Sequence, residues 1–136
     1  YTVQALDAAG NVSAASSPLS VTTLAGPAGC QVQFTIANAN TTVGQNLYVV
    51  GNQTAIGNWT PASGYALVIQ GSGANVPWTG TVTLPVSTAV QYKYVKWNGS
   101  TAVWESNQST GSGNREMTTP ASCASPVARS DGSFKF

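Results

Sequence analysis

The sequence predicts an all-β protein, and three of its features indicate this class. Apolar residues do not recur at the 3.6-residue period of an amphipathic helix anywhere along the 136 residues. β-branched and aromatic residues instead gather in short runs, which are typical of strands. Glycine, asparagine and proline separate these runs, as turns require. Many short strands with frequent turns favour an antiparallel β-sandwich.

Each strand is predicted from a run that is rich in β-branched or aromatic residues and is bounded by turn residues. In chain order the predicted strands are Tyr1–Ala5, Leu19–Thr23, Gln31–Ile36, Asn46–Gly51, Ala66–Ile69, Trp78–Leu84, Ala89–Trp97, Ala102–Ser106 and a last one within Val127–Phe136. The dipeptide Asn98-Gly99 predicts a tight hairpin between the two runs on either side of it.

A domain boundary is predicted at residues 25–29, because small residues, a proline and two glycines follow one another there. Residues 1–24 form one predicted β-hairpin appendage, and a lone hairpin is only marginally stable in water. Tyr1–Asn11 followed by residues 21–23 resembles the last two strands of a fibronectin type III domain. This resemblance implies that the chain is a fragment of a longer protein, with one main domain at residues 30–136.

Charge is scarce, with five basic and four acidic residues and a net charge of +1. Such a surface cannot follow a phosphate backbone, which excludes nucleic acid as a partner. The sequence has neither a basic run that favours an anionic membrane nor an apolar stretch near the ~20 residues of a spanning helix. Neutral polar residues dominate, as in secreted domains that meet neutral ligands. We therefore expect an extracellular protein with no membrane partner and no cofactor.

The two cysteines, Cys30 and Cys123, lie near the two ends of the main segment. In a cytosolic protein they would be idle thiols. Their bracketing positions favour an oxidised pair that ties the first strand of the domain to the last. Closing a loop of about 90 residues would contribute on the order of 4 kcal/mol on the chain-entropy model.

Several segments between Cys30 and the C-terminus share an order that is typical of one family. They are Val32–Ile36, Thr41–Asn52, Ile56–Trp59, Trp78–Pro85, Tyr92–Tyr94, Trp104-Glu105 and Asn114–Glu116. Together they resemble carbohydrate-binding module family 20, the starch-binding domains of amylases, glucoamylases and cyclodextrin glucanotransferases. The resemblance implies an immunoglobulin-like sandwich that binds α-1,4-glucans at up to two sites without catalysis. It also implies a monomer within a multidomain chain, whose parent is a glycoside hydrolase of the amylase type. The C-terminal Arg129–Phe136 departs from the family pattern.

A first binding surface is predicted on one face of the hairpin around Asn98-Gly99. Side chains alternate along a strand, so Lys93 and Trp97 share a face, and Trp104 joins them if it pairs with Val95. The resemblance adds Trp59 from the preceding loop. Indole faces suit glucose rings, since stacking one sugar removes roughly 100 Å² of apolar surface, worth about 2.5 kcal/mol.

Polar residues complete this predicted surface. The resemblance implies that Lys93, Glu105 and Asn114 hydrogen-bond the sugar hydroxyls. Trp97 either extends the platform or shields a neighbouring side chain. Trp78, which opens a Thr-Val-Thr strand, is expected to be a core residue.

A second site is implied by the resemblance at five residues: Thr41, Thr42, Gly44, Asn46 and Tyr48. Family members add a tyrosine from the loop that here reads Gln70–Val76, which has no aromatic residue. We therefore expect this second site to be weak or absent.

Two other classes of function remain open at this point. The chain has no histidine, and Glu105 and Glu116 are the only carboxylates that would form a glycosidase pair, so we expect no catalysis and no metal site. The other alternative is a structural spacer or an adhesive β-sandwich module with its aromatic residues buried.

Overall fold

The computed structural model describes residues 1–18, 20 and 29–136. Within residues 29–136 the chain forms short strands and two 3₁₀ helices, which confirms the all-β class. The strands are β1 Cys30–Ile36, β2 Asn46–Gly51, β3 Tyr65–Ala66, β4 Val68–Ile69, β5 Trp78–Leu84, β6 Ala89–Trp97, β7 Ala102–Trp104, β8 Arg115–Thr118 and β9 Val127–Ser130. The 3₁₀ helices are Thr54–Trp59 and Pro61–Ser63.

These strands form two sheets. One has the order β4-β5-β1-β9, and the other has the order β3-β2-β6-β7 with β8 also pairing with β6. β7 and β8 both pair with the long strand β6. β7 pairs with residues 95–97 of β6, and β8 pairs with residues 89–92. β9 runs parallel to β1, whereas the other pairs are antiparallel. The sandwich is therefore antiparallel, as predicted, except at this one edge.

The core lies between the sheets and is built from alternate side chains. Val32, Phe34 and Ile36 of β1 are fully buried, and the rings of Phe34 and of Tyr92 in β6 pack edge to face at 5.0 Å between centroids. Trp78 is 4% exposed and belongs to the same cluster, which confirms it as a core residue. Burial of this kind is the main favourable contribution to the stability of such a domain.

Three strands, β2, β5 and β6, have the predicted bounds. The predicted strand Ala66–Ile69 is instead divided at Leu67, which is buried and donates its N–H to Leu47 O. β3 pairs with β2 and β4 pairs with β5, so the chain crosses from one sheet to the other at this residue. β8 was not among the predicted strands.

The N-terminal segment differs from the predicted hairpin. Ser13 and Ser16 donate their N–H groups to Ala5 O and Val3 O, so the returning side is formed by residues 12–16. The turn is closed by Asp7, whose carboxylate accepts from Asn11, and this hydrogen bond lowers the pKa of Asp7. Two predictions lie mostly outside the described residues. They are the strand Leu19–Thr23, of which only Ser20 is described, and the linker 25–29, of which only Gly29 is described.

The predicted disulfide is confirmed. Cys30 and Cys123 are bonded, with 5.2 Å between their Cα atoms. The bond joins the start of β1 to the segment between β8 and β9. Among the described residues no helix has the length and apolar character needed to cross a membrane.

Candidate functional site

The outer face of the five-stranded sheet, the face turned away from the core, carries several of the predicted binding residues. Leu47, Val49, Tyr92 and Tyr94 belong to the core cluster, so they define the inner face of β2 and β6. The residues between them lie on the outer face because side chains alternate along a strand. On β2 and β6 these are Tyr48, Val50, Lys93, Val95 and Trp97.

The register of β6 and β7 brings Trp104 to this face. Val95 lies directly opposite Trp104, which is the pairing that the predicted surface requires. Trp104 is 39% exposed, while Val95 beside it is fully buried. The hairpin turn is stabilised by the side chain of Asn98, whose Oδ1 accepts from the N–H groups of Ser100 and Thr101 at 3.0 and 2.7 Å. Trp104 and Lys93 therefore share one surface.

Trp59 reaches this surface through an unusual backbone. Gly57, Asn58 and Trp59 all have positive φ, at 80°, 45° and 63°. Positive φ is uncommon for a residue with a side chain and is a genuine outlier for a bulky one. Ile56 is fully buried just before this segment and anchors it. Backbone strain of this kind persists only where the surrounding structure enforces it, and it clusters at functional sites.

The two indoles form a tilted pair. The ring centroids of Trp59 and Trp104 lie 6.5 Å apart, and the ring planes meet at 36°. Trp59 is half-buried and Trp104 is exposed, so both retain accessible surface. Two flat apolar faces at an angle fit a curved ligand with apolar faces better than a flat one. The pair therefore has the geometry that the sequence analysis assigned to the first site.

Lys93 is held beside the indole pair by a residue that the sequence analysis missed. Its Nζ donates to Asn107 Oδ1 at 2.7 Å and to Glu105 O at 3.4 Å. Nothing in the spacing of the exposed Asn-Gln-Ser loop distinguishes Asn107 from its polar neighbours. Asn114 directly precedes β8, is half-buried and donates through Nδ2 to Gln91 Oε1 at 3.4 Å. An ammonium group on the strand that pairs with Trp104 is thus held together with an amide group.

Glu105 has a different position from the predicted one. Its side chain has no exposed surface, and Oε1 accepts from the Tyr94 N–H at 3.0 Å. Arg115 donates to the same carboxylate from Nε and Nη2, both at 2.9 Å. The carboxylate thus satisfies a β6 backbone donor in the gap between β7 and β8 and neutralises a buried cation. The structure therefore assigns Glu105 a structural role instead of a contact with ligand hydroxyls.

Arg115 also ties the C-terminal residues to the site. Nη1 and Nη2 donate to Asp131 O and Ser133 O, each at 3.1 Å. Burial alone disfavours the charged guanidinium, but the hydrogen bonds and the charge of Glu105 outweigh it, so the pKa of Arg115 is raised. The cation is thus fixed in its charged form behind the β6–β7 hairpin.

The residues predicted for the second site do not all lie together. Thr41, Thr42, Gly44 and Asn46 line a groove of about 630 Å³, which Ile69, Gly73, Ala74 and Trp78 also line. Tyr48 lies elsewhere, on the outer face directly opposite Val95. From the loop that lacks an aromatic residue, the groove receives only Gly73 and Ala74. Trp78 is its one aromatic residue in the described part of the chain, and that ring is buried.

Comparisons with known proteins agree on one family. A family model described as the starch binding domain matches residues 29–129. The cyclomaltodextrin glucanotransferase of Paenibacillus macerans is 37% identical over 126 residues, which cover 92% of this chain and 16% of that protein. Glucoamylase-1 of Schizophyllum commune is 37% identical over 99 residues, covering 71% and 16%.

A solved structure extends the agreement to the fold. The family 20 carbohydrate-binding module of the maltotetraose-forming amylase from Pseudomonas saccharophila has a TM-score of 0.58 and 29% identity. That match covers 76% of this chain and 99% of the other. This chain thus matches a small part of the two enzymes and nearly all of the isolated module.

Proposed function

The chain belongs to the starch-binding domain family, whose members are non-catalytic binding modules, and on this premise we propose that Trp59 and Trp104 bind an α-1,4-glucan by stacking. The observation that carries this proposal is the tilted indole pair on an accessible surface. Each indole that covers a glucose face removes roughly 100 Å² of apolar surface from water, worth about 2.5 kcal/mol. After ordering costs, two such contacts suit a Kd between about micromolar and millimolar.

Polar groups beside the pair orient the sugar. The Lys93 ammonium has three donors, of which Asn107 and the Glu105 carbonyl take two. The remaining donor of Lys93 and the side-chain amides of Asn107 and Asn114 can hydrogen-bond the 2- and 3-hydroxyls of glucose. Glu105 contributes through its backbone carbonyl and through the position of Lys93.

The groove is a weaker second site in this proposal. Thr41, Thr42, Gly44 and Asn46 offer hydroxyl, amide and backbone groups, but the groove has no accessible ring face among its described residues. Hydrogen bonds to a solvated sugar yield little net free energy without apolar burial. The groove therefore contributes less affinity than the tryptophan pair.

The share of each relative that this chain covers indicates its biological role. The chain spans only 16% of the two curated relatives described above, so it corresponds to a small part of each enzyme. Residues 30–136 are then a module that targets a parent polysaccharide-active enzyme of the amylase type to starch. Residues 1–24 are the end of a preceding fibronectin type III-like domain, and 25–29 are the linker. The disulfide fits a secreted protein, and the module acts as a monomer within the longer chain.

Titration with β-cyclodextrin tests the proposal. Intrinsic tryptophan fluorescence should shift on addition of the ligand, and Trp59→Ala and Trp104→Ala should each weaken binding by about ten-fold or more. Val68→Ala is a matched control, because Val68 is an exposed apolar residue of the other sheet. Full binding by the Trp59→Ala/Trp104→Ala double variant would overturn the proposal in favour of a spacer or adhesive module.

A further inference from the structure

We propose that Trp97 and Tyr48 form an additional subsite that extends the first site across the outer face of the sheet. The ligand of this subsite is the continuation of the same glucan chain. The inference rests on the proposed function, because it lengthens the surface that begins at Trp59 and Trp104. It also separates Tyr48 from the other four residues predicted for the second site, which line the groove.

The strand register places these aromatic residues side by side. Val95 of β6 lies between Tyr48 of β2 and Trp104 of β7 in one row across the sheet. Trp97 lies in the next row of the same face, between Asn46 and Ala102. It is thus diagonal to both Tyr48 and Trp104, at the ~7–8 Å that separates such neighbours.

Burial of Val95 indicates how the rings lie. Val95 has no exposed surface, although it points away from the core cluster. Tyr48 and Trp104 are its direct neighbours across the strands, and Trp97 follows it on the same face. A ring that covers a neighbouring side chain lies along the sheet and turns a face toward solvent. Tyr48 and Trp97 are both half-buried, as this arrangement requires.

The chemistry of this surface suits a neutral polyhydroxyl ligand. Tyr48, Trp97 and Asn46 carry no formal charge, and the closest cation in the register, Lys93, is held by Asn107. In the described part of the chain neither the Tyr48 hydroxyl nor the Trp97 indole N–H has a hydrogen-bond partner, so both remain available to sugar hydroxyls.

The position of Tyr48 and Trp97 next to the first site indicates which ligand they bind. In the strand register Tyr48 is one strand beyond Val95 from Trp104 and Trp97 is diagonal to Trp104, so a glucan bound to the tryptophan pair leads its next glucose units toward both residues. The extension ends at Asn46, which faces Trp97 and also lines the groove. A longer glucan therefore gains contacts that a short one cannot make.

A chain-length series measures this gain. Calorimetric titrations with maltotriose and maltoheptaose are compared for the wild type, Trp97→Ala and Tyr48→Ala. Trp97→Ala should weaken maltoheptaose binding by about ten-fold and maltotriose binding by less than about two-fold. Trp97→Phe, which keeps an aromatic ring at this position, should lose less than Trp97→Ala. Val103→Ala is the matched control, since Val103 is exposed on β7 but faces the opposite way, opposite Lys96.

The outcomes separate the two proposals. Equal losses for both ligands, or no loss for either, would overturn the additional subsite and leave Trp97 and Tyr48 as a cover for Val95. A thermal unfolding temperature lowered by Trp97→Ala with unchanged length dependence would overturn it as well. Failure of the first site is a different result, in which the wild type binds neither ligand or Trp59→Ala and Trp104→Ala bind both normally.

Discussion

Glu105 and Arg115 form a buried ion pair directly behind the proposed binding surface. The Nε and Nη2 atoms of Arg115 each lie 2.9 Å from the Glu105 carboxylate, and the two side chains, Arg115 and Glu105, are 8% and 0% exposed. Glu105 follows Trp104 in the chain, and its carbonyl accepts from Lys93. The pair therefore fixes the backbone that carries two of the proposed glucan contacts.

Removal of the charge at Glu105 should destabilise the fold. Glu105→Gln still offers an acceptor to the Tyr94 N–H but leaves the buried guanidinium of Arg115 with Asp131 as its only carboxylate partner among the described residues. Breaking one side of a buried pair typically costs about 3–5 kcal/mol. Urea denaturation measures the free energy of unfolding, with Glu116→Gln as the control because Glu116 is exposed. Equal stability of the two variants would contradict the prediction.

Asn107 should act on the ligand through Lys93. Lys93→Ala removes a hydroxyl donor, and Asn107→Ala frees the ammonium that it holds at 2.7 Å. Each variant should weaken β-cyclodextrin binding by about three- to ten-fold. Because the residues act together, the double variant should lose less than the sum of the single losses in free energy. Additive losses in this double-mutant cycle would show that the two residues act independently.

The strands that alternate cleanly in the sequence were predictable, and β8 was not. β2, β5 and β6 are runs of β-branched and aromatic residues, so their bounds follow from local preference. β8 reads Arg-Glu-Met-Thr, which has no such preference. Its pairing with β6 is accompanied by the ion pair of Arg115, a contact between residues distant in sequence. Tertiary contacts of this kind override local propensity.

The positions of the candidate site residues were predictable where the alternation of side chains along a strand was applied and wrong where it was not. Trp104 was placed on the face of Lys93 on the condition that it pairs with Val95, and the structure has that pairing. The same rule turns Glu105 inward because Trp104 points outward. It also places Tyr48 on the outer face, since Leu47 and Val49 are in the core. Asn107 was beyond reach, because an exposed loop has no periodicity that fixes its side chains.

Gly57 should be required for the position of Trp59. Its φ is +80°, and a Cβ there would lie 2.7 Å from Gly64 N and from Ser63 C. Gly57→Ala should therefore shift the Gly57–Trp59 segment and weaken β-cyclodextrin binding by about five-fold or more. Gly111→Ala is the control, because a Cβ at Gly111 has nothing within 4 Å. Normal binding by Gly57→Ala would mean that the loop tolerates the added group.

The disulfide should contribute substantially to stability. Cys30 and Cys123 are 93 residues apart, and on the chain-entropy model such a closure contributes about 4 kcal/mol. Replacement of both by serine should lower the free energy of unfolding in urea by roughly that amount and leave the tryptophan pair in place. Reduced wild-type protein provides an independent comparison. A loss below about 1 kcal/mol would show that the unfolded chain is already compact without the bond.

Alkaline pH should destabilise the protein through two buried tyrosines. Burial, and secondarily the charge of Asp131, raises the pKa of Tyr92 and of Tyr94, whose hydroxyls donate to Asp131 Oδ2 at 2.7 and 2.9 Å. The folded state therefore keeps protons that the unfolded state releases above about pH 10. The stability they contribute is fully present below that pH and is lost as pH rises through the folded values.

The pKa of Lys96 is lowered, so its effect on the pH dependence of stability is opposite to that of the two tyrosines. The two effects must therefore be distinguished by the pH range in which they act. The Nζ of Lys96 lies 4.3 Å from the centroids of both Phe134 and Phe136, and burial lowers its pKa. A base with a lowered pKa makes the fold more stable as pH rises toward its unfolded value of about 10.4, so it offsets the tyrosines only below that pH. Above about pH 11 the free energy of unfolding should fall steeply in the wild type and less steeply in Tyr94→Phe. Equal slopes in urea titrations of the two proteins would mean that Tyr94 ionises without unfolding.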